Sequence, residues 1–185
     1  MIELRNVTLA RSEKTILSDI SAHLPDRGVV ATLGPSGSGK TTLLMLFAGL
    51  LSPVSGAFSG MEGKKTSVVF QEDRLLPWLT AYENIVLVEG GRSVCDCLSL
   101  VELTEDALKK PRSLSGGMQR RVAIARALRF GGDALILDEP FKGLDAQLKA
   151  RVAKRLSAAF PLIFIATHDE AEAALLGEYT ALRLG

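Results

Sequence analysis

The stretch GPSGSGKT, Gly34 to Thr41, sets three glycines, a lysine and a threonine between an apolar run and a helical pattern. Residues of these types hold phosphate. Gly34, Gly37 and Gly39, with Pro35, Ser36 and Ser38 completing the loop, let the backbone curl until its N–H groups point inward at an anion. Lys40 brings a positive charge to the β- and γ-phosphates. Thr41, followed by Thr42 in the opening helix, offers a hydroxyl to Mg2+. The spacing is the full Walker A pattern in its strand–loop–helix setting, so binding of a nucleoside triphosphate is expected. Downstream, ALILDEP ends an apolar run in two acids. Asp138 is placed to hold Mg2+ through its water shell. Glu139 lies at the strand end, where parallel sheets bind their ligands, and is the candidate for orienting the attacking water.

LSGGMQRR, Leu114 to Arg121, opens another helix with Ser115, Gly116 and Gly117. A helix start leaves backbone N–H groups unpaired, and glycine allows an anion to approach them closely. The chain therefore carries two segments suited to phosphate, where one nucleotide needs one.

The elements that must position these residues alternate in a βα manner. GVVATLG (Gly28 to Gly34), TSVVF (Thr66 to Phe70), ALILD (Ala134 to Asp138) and LIFIAT (Leu162 to Thr167) are short, apolar and β-branched, as buried strands are. KTTLLMLFAGLL from Lys40 reads as a helix stopped by Ser52-Pro53. DAQLKARVAKRLSAAF puts Leu148, Val152, Leu156 and Phe160 on one helical face. The expected fold is α/β, a phosphate-loop NTPase with a mostly parallel central sheet covered on both sides. The first 27 residues mix apolar and polar positions and suggest a small antiparallel β subdomain. The stretch from about 72 to 114 suggests a helical lobe, and the 185 residues suit a single domain.

Composition narrows the function classes. Lys plus Arg is 22 and Asp plus Glu is 21, a net charge of +1, which gives no electrostatic case for nucleic acid. No apolar run approaches the roughly 18 residues of a membrane span, and the beginning, with Glu3 and no apolar h-region, is unlike a signal peptide. A cytoplasmic location is expected. Cys95 and Cys97 have no zinc-site spacing with His23 or His168 and read as reduced, partly buried thiols.

Taken in order, the phosphate loop, VVFQEDRLLPW, LSGGMQRRVAIARAL, LILDEPFKGLD and IFIATHDEAEA resemble the ATP-binding subunit of ABC transporters over essentially the whole chain. The resemblance implies an ATPase converting ATP and water to ADP and phosphate. It implies that Gln71 reaches Mg2+ and the water, that His168 contacts the γ-phosphate, and that Asp145 lies against a partner subunit. It also implies an answer to the two phosphate segments. Two copies pack head to tail, and Ser115, Gly116 and Gly117 of one cover the γ-phosphate held by Lys40 of the other. ATP closes this homodimer and hydrolysis reopens it.

Three departures from the pattern stand out. The aromatic residue that the family usually stacks on adenine is absent; its place falls on Arg11 or a neighbour, which is either a guanidinium stacked on the base or a solvated surface residue. Lys142 stands where a small residue is usual. Segments on both sides of Gln71 are trimmed, and no regulatory C-terminal domain is expected after YTALRLG.

QEDRLLPW, continuing LTAYENI, resembles importer subunits of the nitrate, sulfonate and taurine group. In such subunits this region meets a membrane permease, here through Leu75, Leu76, Pro77 and Trp78, although Trp78 packed into its own lobe is an alternative. The resemblance thus implies a subunit held on the inner face of the membrane by a permease, served indirectly by an extracytoplasmic solute-binding protein. The competing reading is a soluble ABC ATPase acting on nucleic acid, ribosomes or metal-cluster assembly.

Overall fold

Parallel pairing joins the apolar runs into one five-stranded sheet in the computed structural model, which describes residues 1–185. Along the chain come β1 (Ile2–Arg11), β2 (Lys14–Leu24), β3 (Gly28–Leu33), α1 (Lys40–Phe47), β4 (Ser55–Ser59) and β5 (Thr66–Val69). They are followed by α2 (Ala81–Val86), α3 (Val94–Leu100), α4 (Gly116–Phe130), β6 (Ala134–Asp138), α5 (Ala146–Ala159), β7 (Leu162–Thr167), α6 (Glu170–Ala174) and β8 (Tyr179–Arg183). The parallel sheet has the order β5-β6-β7-β3-β8, and every neighbouring pair in it is parallel.

Side chains alternate across a strand, so each central strand feeds two cores. Val30, Ile136, Phe164 and Ala166 face α1 and the antiparallel sheet, where Phe47 stacks on Phe164 with ring centroids 4.3 Å apart. Ala31, Leu135, Leu137, Ile163 and Ile165 face the other way, against α4, α5 and the helical lobe. Each fully buried side chain of this size stabilises the fold by roughly 1.5–3 kcal/mol. Covering both faces is what lets the strands be apolar throughout.

Several boundaries differ from the sequence expectation. α1 stops at Phe47, well before Ser52-Pro53, because Gly49 takes the left-handed conformation (φ +71°). The N–H of Leu50 donates to Met45 O and that of Gly49 to Leu46 O, a closed C-terminal turn that satisfies the last carbonyls. The antiparallel sheet takes a third strand, β4, from beyond the first 27 residues, in the order β2-β1-β4. β8 pairs with β3 at one edge of the parallel sheet.

The segment between β5 and α4 carries only two short α-helices, α2 and α3, and two single 3-10 turns at Thr104–Asp106 and Pro111–Ser113. Thr80 and Glu83 cap α2 reciprocally, and Ser93 caps α3. The buried Asn84 accepts from Leu76 N and donates to Leu76 O, Leu79 O and Thr80 O, which fixes the approach to α2. Arginines of α4 and α5 take up carbonyls that irregular backbone leaves unpaired: Arg121 those of Val101 and Glu102, Arg129 those of Val88 and Arg92, Arg155 that of Leu100. The cysteines are not alike, for Cys97 is buried and Cys95 exposed. No helix is long and apolar enough to cross a membrane.

Candidate active site

β3 delivers the chain into the glycine loop and α1 carries it away, so Lys40 sits at the first position of the helix. Gly37 (φ +84°) and Gly39 (φ +95°) are left-handed, which a side chain would resist. The start of α1 has no side-chain cap, and its N–H groups stay available to an anion. Lys40 is 7% exposed, and its ammonium donates to Gly34 O at 2.7 Å and Pro35 O at 2.9 Å. Ser38 Oγ is buried without a protein partner, a polar atom available to a phosphate oxygen.

β6 runs parallel to β7 and ends beside the loop. Thr41 Oγ1 donates to Asp138 Oδ2 at 2.7 Å, joining two of the three residues expected to serve Mg2+, the third being Gln71. Burial pushes the Asp138 carboxyl up, and the Thr41 hydroxyl pulls it back. Glu139 follows in the left-handed region (φ +47°), its N–H donating to Ala166 O at 2.9 Å. That turn is strained for a non-glycine residue, and strain of this kind gathers at functional sites. Glu139 Oε1 meets His168 Nδ1 at 3.1 Å, and the hydrogen bond to the carboxylate raises the imidazole pKa above its ordinary value.

One cleft of about 280 Å3 brings together Arg11, Ile16, Lys40, Thr41, Gln71, Asp138 and Glu139. Arg11 ends β1 at a two-residue hairpin turn formed by Ser12 (φ +48°) and Glu13 (φ +65°). It is exposed and lines the same cleft as the loop, so it is not a remote surface residue. Ile16, across that hairpin, was not singled out from the sequence.

Ser115, Gly116 and Gly117 line none of this cleft. Ser115 caps α4, its Oγ accepting from Met118 N at 3.2 Å. Ser115 and Gly116 are exposed, and a Cβ on Gly116 would meet nothing within 4 Å. Gly117 instead abuts the turn before α5, where an added Cβ would come 2.3 Å from Gly143 O. Asp145 caps α5 through Leu148 N at 2.9 Å, while Lys142 is exposed beside this turn.

Leu75, Leu76, Pro77 and Trp78 differ in exposure. Leu75 packs against the core and Leu76 is half-buried, which leaves Pro77 and Trp78 (64% exposed) at the surface. Tyr82 and Val86, one turn apart on α2, are exposed as well. Trp78 packed into its own lobe is thereby excluded.

A model of the ABC transporter family matches residues 17–142. The aliphatic sulfonates import ATP-binding protein SsuB 1 of Paracoccus denitrificans is 37% identical, over 96% of this chain and 76% of its own length. The chain belongs to the ABC transporter family. The corresponding protein of Granulibacter bethesdensis is 40% identical over 96% of this chain and 77% of its own length. A dimeric structure of the ATP-binding cassette MJ0796 in a post-hydrolysis state, bound to ADP and Pi, superposes with a TM-score of 0.83. It is 28% identical and covers 100% of this chain and 96% of its own. This ABC protein is an ATPase.

Proposed function

We propose that the chain hydrolyses ATP with Mg2+ as a head-to-tail homodimer, and that it drives a membrane permease importing a small solute. The observation that carries this reading is the separation, within one chain, of a lysine-bearing phosphate loop from an exposed serine–glycine helix start that lines none of its cleft. The relatives named for sulfonate import favour import over work on nucleic acid, ribosomes or metal clusters, and an aliphatic sulfonate as the solute.

The roles follow from the chemistry of each group. Lys40 exchanges the Gly34 and Pro35 carbonyls for the β- and γ-phosphates, joined by loop N–H groups and the Ser38 hydroxyl. Thr41 and Asp138 offer hard oxygen ligands at one spot, a donor set that would hold Mg2+. The ion would supply charge neutralisation on the phosphates. Glu139 orients the water, His168 holds the Glu139 carboxylate and reaches the γ-phosphate, and Gln71 closes the cleft beside them. Arg11 lies flat against the base. Ser115 to Gly117 of the partner complete the site. The 185 residues act as a single nucleotide-binding unit on the inner face of the membrane, with an extracytoplasmic binding protein selecting the solute. The permease would meet Pro77, Trp78, Tyr82 and Val86.

The test uses the full-length chain with Glu139→Gln. ATP binding should persist while hydrolysis slows by about 10²- to 10⁴-fold, the usual worth of such a group. Purified from detergent-solubilised membranes with ATP present, this chain should bring down an integral membrane protein. A wild-type hydrolysis rate would remove Glu139 from the mechanism. Recovery of rRNA or a soluble scaffold in place of a membrane protein would overturn the transport reading.

A further inference from the structure

Phe141 and Leu144 are buried, and between them Lys142 and Gly143 stand out at the surface. The four residues form a closed turn, Leu144 N–H donating to Phe141 O at 3.2 Å. Gly143 is left-handed (φ +80°) at its third position, where such turns call for glycine. Buried side chains at both ends thus fix where the turn sits, and it sits against the second phosphate segment. Gly143 O lies so close to Gly117 that a Cβ added there would come within 2.3 Å of it. Backbone packing therefore holds Lys142 one residue from a contact with the Ser115–Gly117 start of α4. Lys142 is the third residue after Glu139, yet it lines none of the cleft that Glu139 shares with Lys40. It takes part in no ion pair of the folded chain. The exposed acid beside it, Asp145, is engaged elsewhere: it caps α5 through Leu148 N, and its charge supports those of Arg121 and Arg151. A free ammonium thus flanks a helix whose first turn, Gly116 to Gln119, carries no charge of its own.

In phosphoryl transfer a cation supplied by a partner can neutralise the charge spread over the γ-phosphate oxygens. Lysine suits that part at an exposed edge, being a point charge on a flexible stem. Resting on the head-to-tail reading, we propose that Lys142 is a second lysine of the composite site and acts in trans. It travels with Ser115, Gly116 and Gly117 of its own chain and reaches the γ-phosphate held by Lys40 of the neighbour. Each nucleotide is then gripped by one lysine from either side, and the outer one arrives only as the dimer closes. ADP, which lacks the γ-phosphate, gives Lys142 nothing to hold, so its grip favours closure on ATP.

The test asks which chain's Lys142 serves a given site. Full-length Lys40→Ala and Ser115→Arg chains, mixed, form hybrids whose one intact site takes Lys40 from the second chain and Ser115 from the first. Lys142→Met on the Lys40→Ala chain removes the lysine beside the working signature segment; on the Ser115→Arg chain it removes the idle one. The first placement should lower hybrid hydrolysis by about tenfold, and by about fivefold more than the second does. Lys142→Arg in the first placement should keep most of the rate. Equal losses from the two placements, or no loss from either, would overturn action in trans. A second measurement needs no hydrolysis and decides the matter if the parent hybrids are silent. In a full-length chain slowed by Glu139→Gln, Lys142→Met should weaken ATP-driven dimerisation about tenfold in sedimentation, with the melting temperature of the single chain in place. ATP affinity of the Ser115→Arg chain should stay within about twofold when Lys142→Met is added. An undiminished dimer, or a clear loss of that affinity, would overturn the proposal. Absence of any ATP-driven dimer with Lys142 intact would instead refute the head-to-tail reading, and the proposal would fall with it.

Discussion

At Lys40 the helix start is uncapped and closed in, whereas at Ser115 it is capped and open. The first has a buried ammonium, an orphaned serine hydroxyl and two acids beside it in one cleft. The second has no lysine, satisfies one of its N–H groups with its own Ser115 hydroxyl, and presents Gly116 to empty space. A helix start alone attracts an anion only weakly, by about 0.3–1 kcal/mol at an exposed site. The signature segment can therefore contribute only where another element already holds the phosphate. On the proposed reading the two glycine-rich starts are halves of a site, and within one chain the second lines none of the first's cleft.

Separation of this kind has its largest consequence in mixed dimers. Lys40→Ala and Ser115→Arg should each abolish hydrolysis as pure proteins. Mixed, they should regain up to about a quarter of wild-type activity, because half the dimers are hybrids with one intact site of two. A chain carrying both changes, mixed with wild type, should show no activity from its hybrids. Recovery in that second mixture and none in the first would mean that each signature segment serves its own chain.

The two glycines of the signature should fail for different reasons. Gly116→Ala meets no atom of its own chain and should leave the melting temperature unchanged or slightly raised, while hydrolysis falls by about tenfold or more as the methyl group intrudes on the neighbour's phosphate. Gly117→Ala must displace Gly143 O and should also lose about 1–3 kcal/mol of stability. Thermal melting beside an ATPase assay checks both. A wild-type rate for Gly116→Ala would show that nothing approaches that face.

The smallest effect belongs to the base. Arg11 and Ile16 offer a flat guanidinium and an aliphatic surface, neither of which reads the edge of a purine. GTP should compete with ATP within about tenfold, or 1.4 kcal/mol, and Arg11→Tyr should tighten ATP binding. Unchanged affinities for both nucleotides in that variant would place Arg11 away from the base.

The buried strands and the phosphate loop were legible in the sequence because runs such as LIFIAT admit one environment and GPSGSGKT one geometry. Positions whose role depends on distant partners were not. The polar, glycine-bearing SGAFS is a strand because β1 supplies its hydrogen bonds, and Tyr179–Arg183 because β3 does. The end of α1 turned on the choice between two stop signals, and Gly49 acts before Pro53 can. Nothing local reveals that Arg120 donates to Phe70 O and Arg126 to Arg74 O, carbonyls some 50 residues earlier. The pairing of Glu139 with His168 likewise depends on β6 and β7 being neighbours.

The position of β3 in the sheet has a consequence for synthesis. The strand that leads into the phosphate loop lies between β7 and β8, and it pairs with no strand made before Leu162. A nascent chain that has emerged as far as Phe160 holds every residue of the loop, yet its β3 has no neighbour. Gly34 also lies under Leu184, whose N–H donates to Leu33 O at 2.8 Å. Pairings this distant in sequence are the slow ones to close, so the strand that carries the phosphate loop waits for β7 and β8 before it has a neighbour.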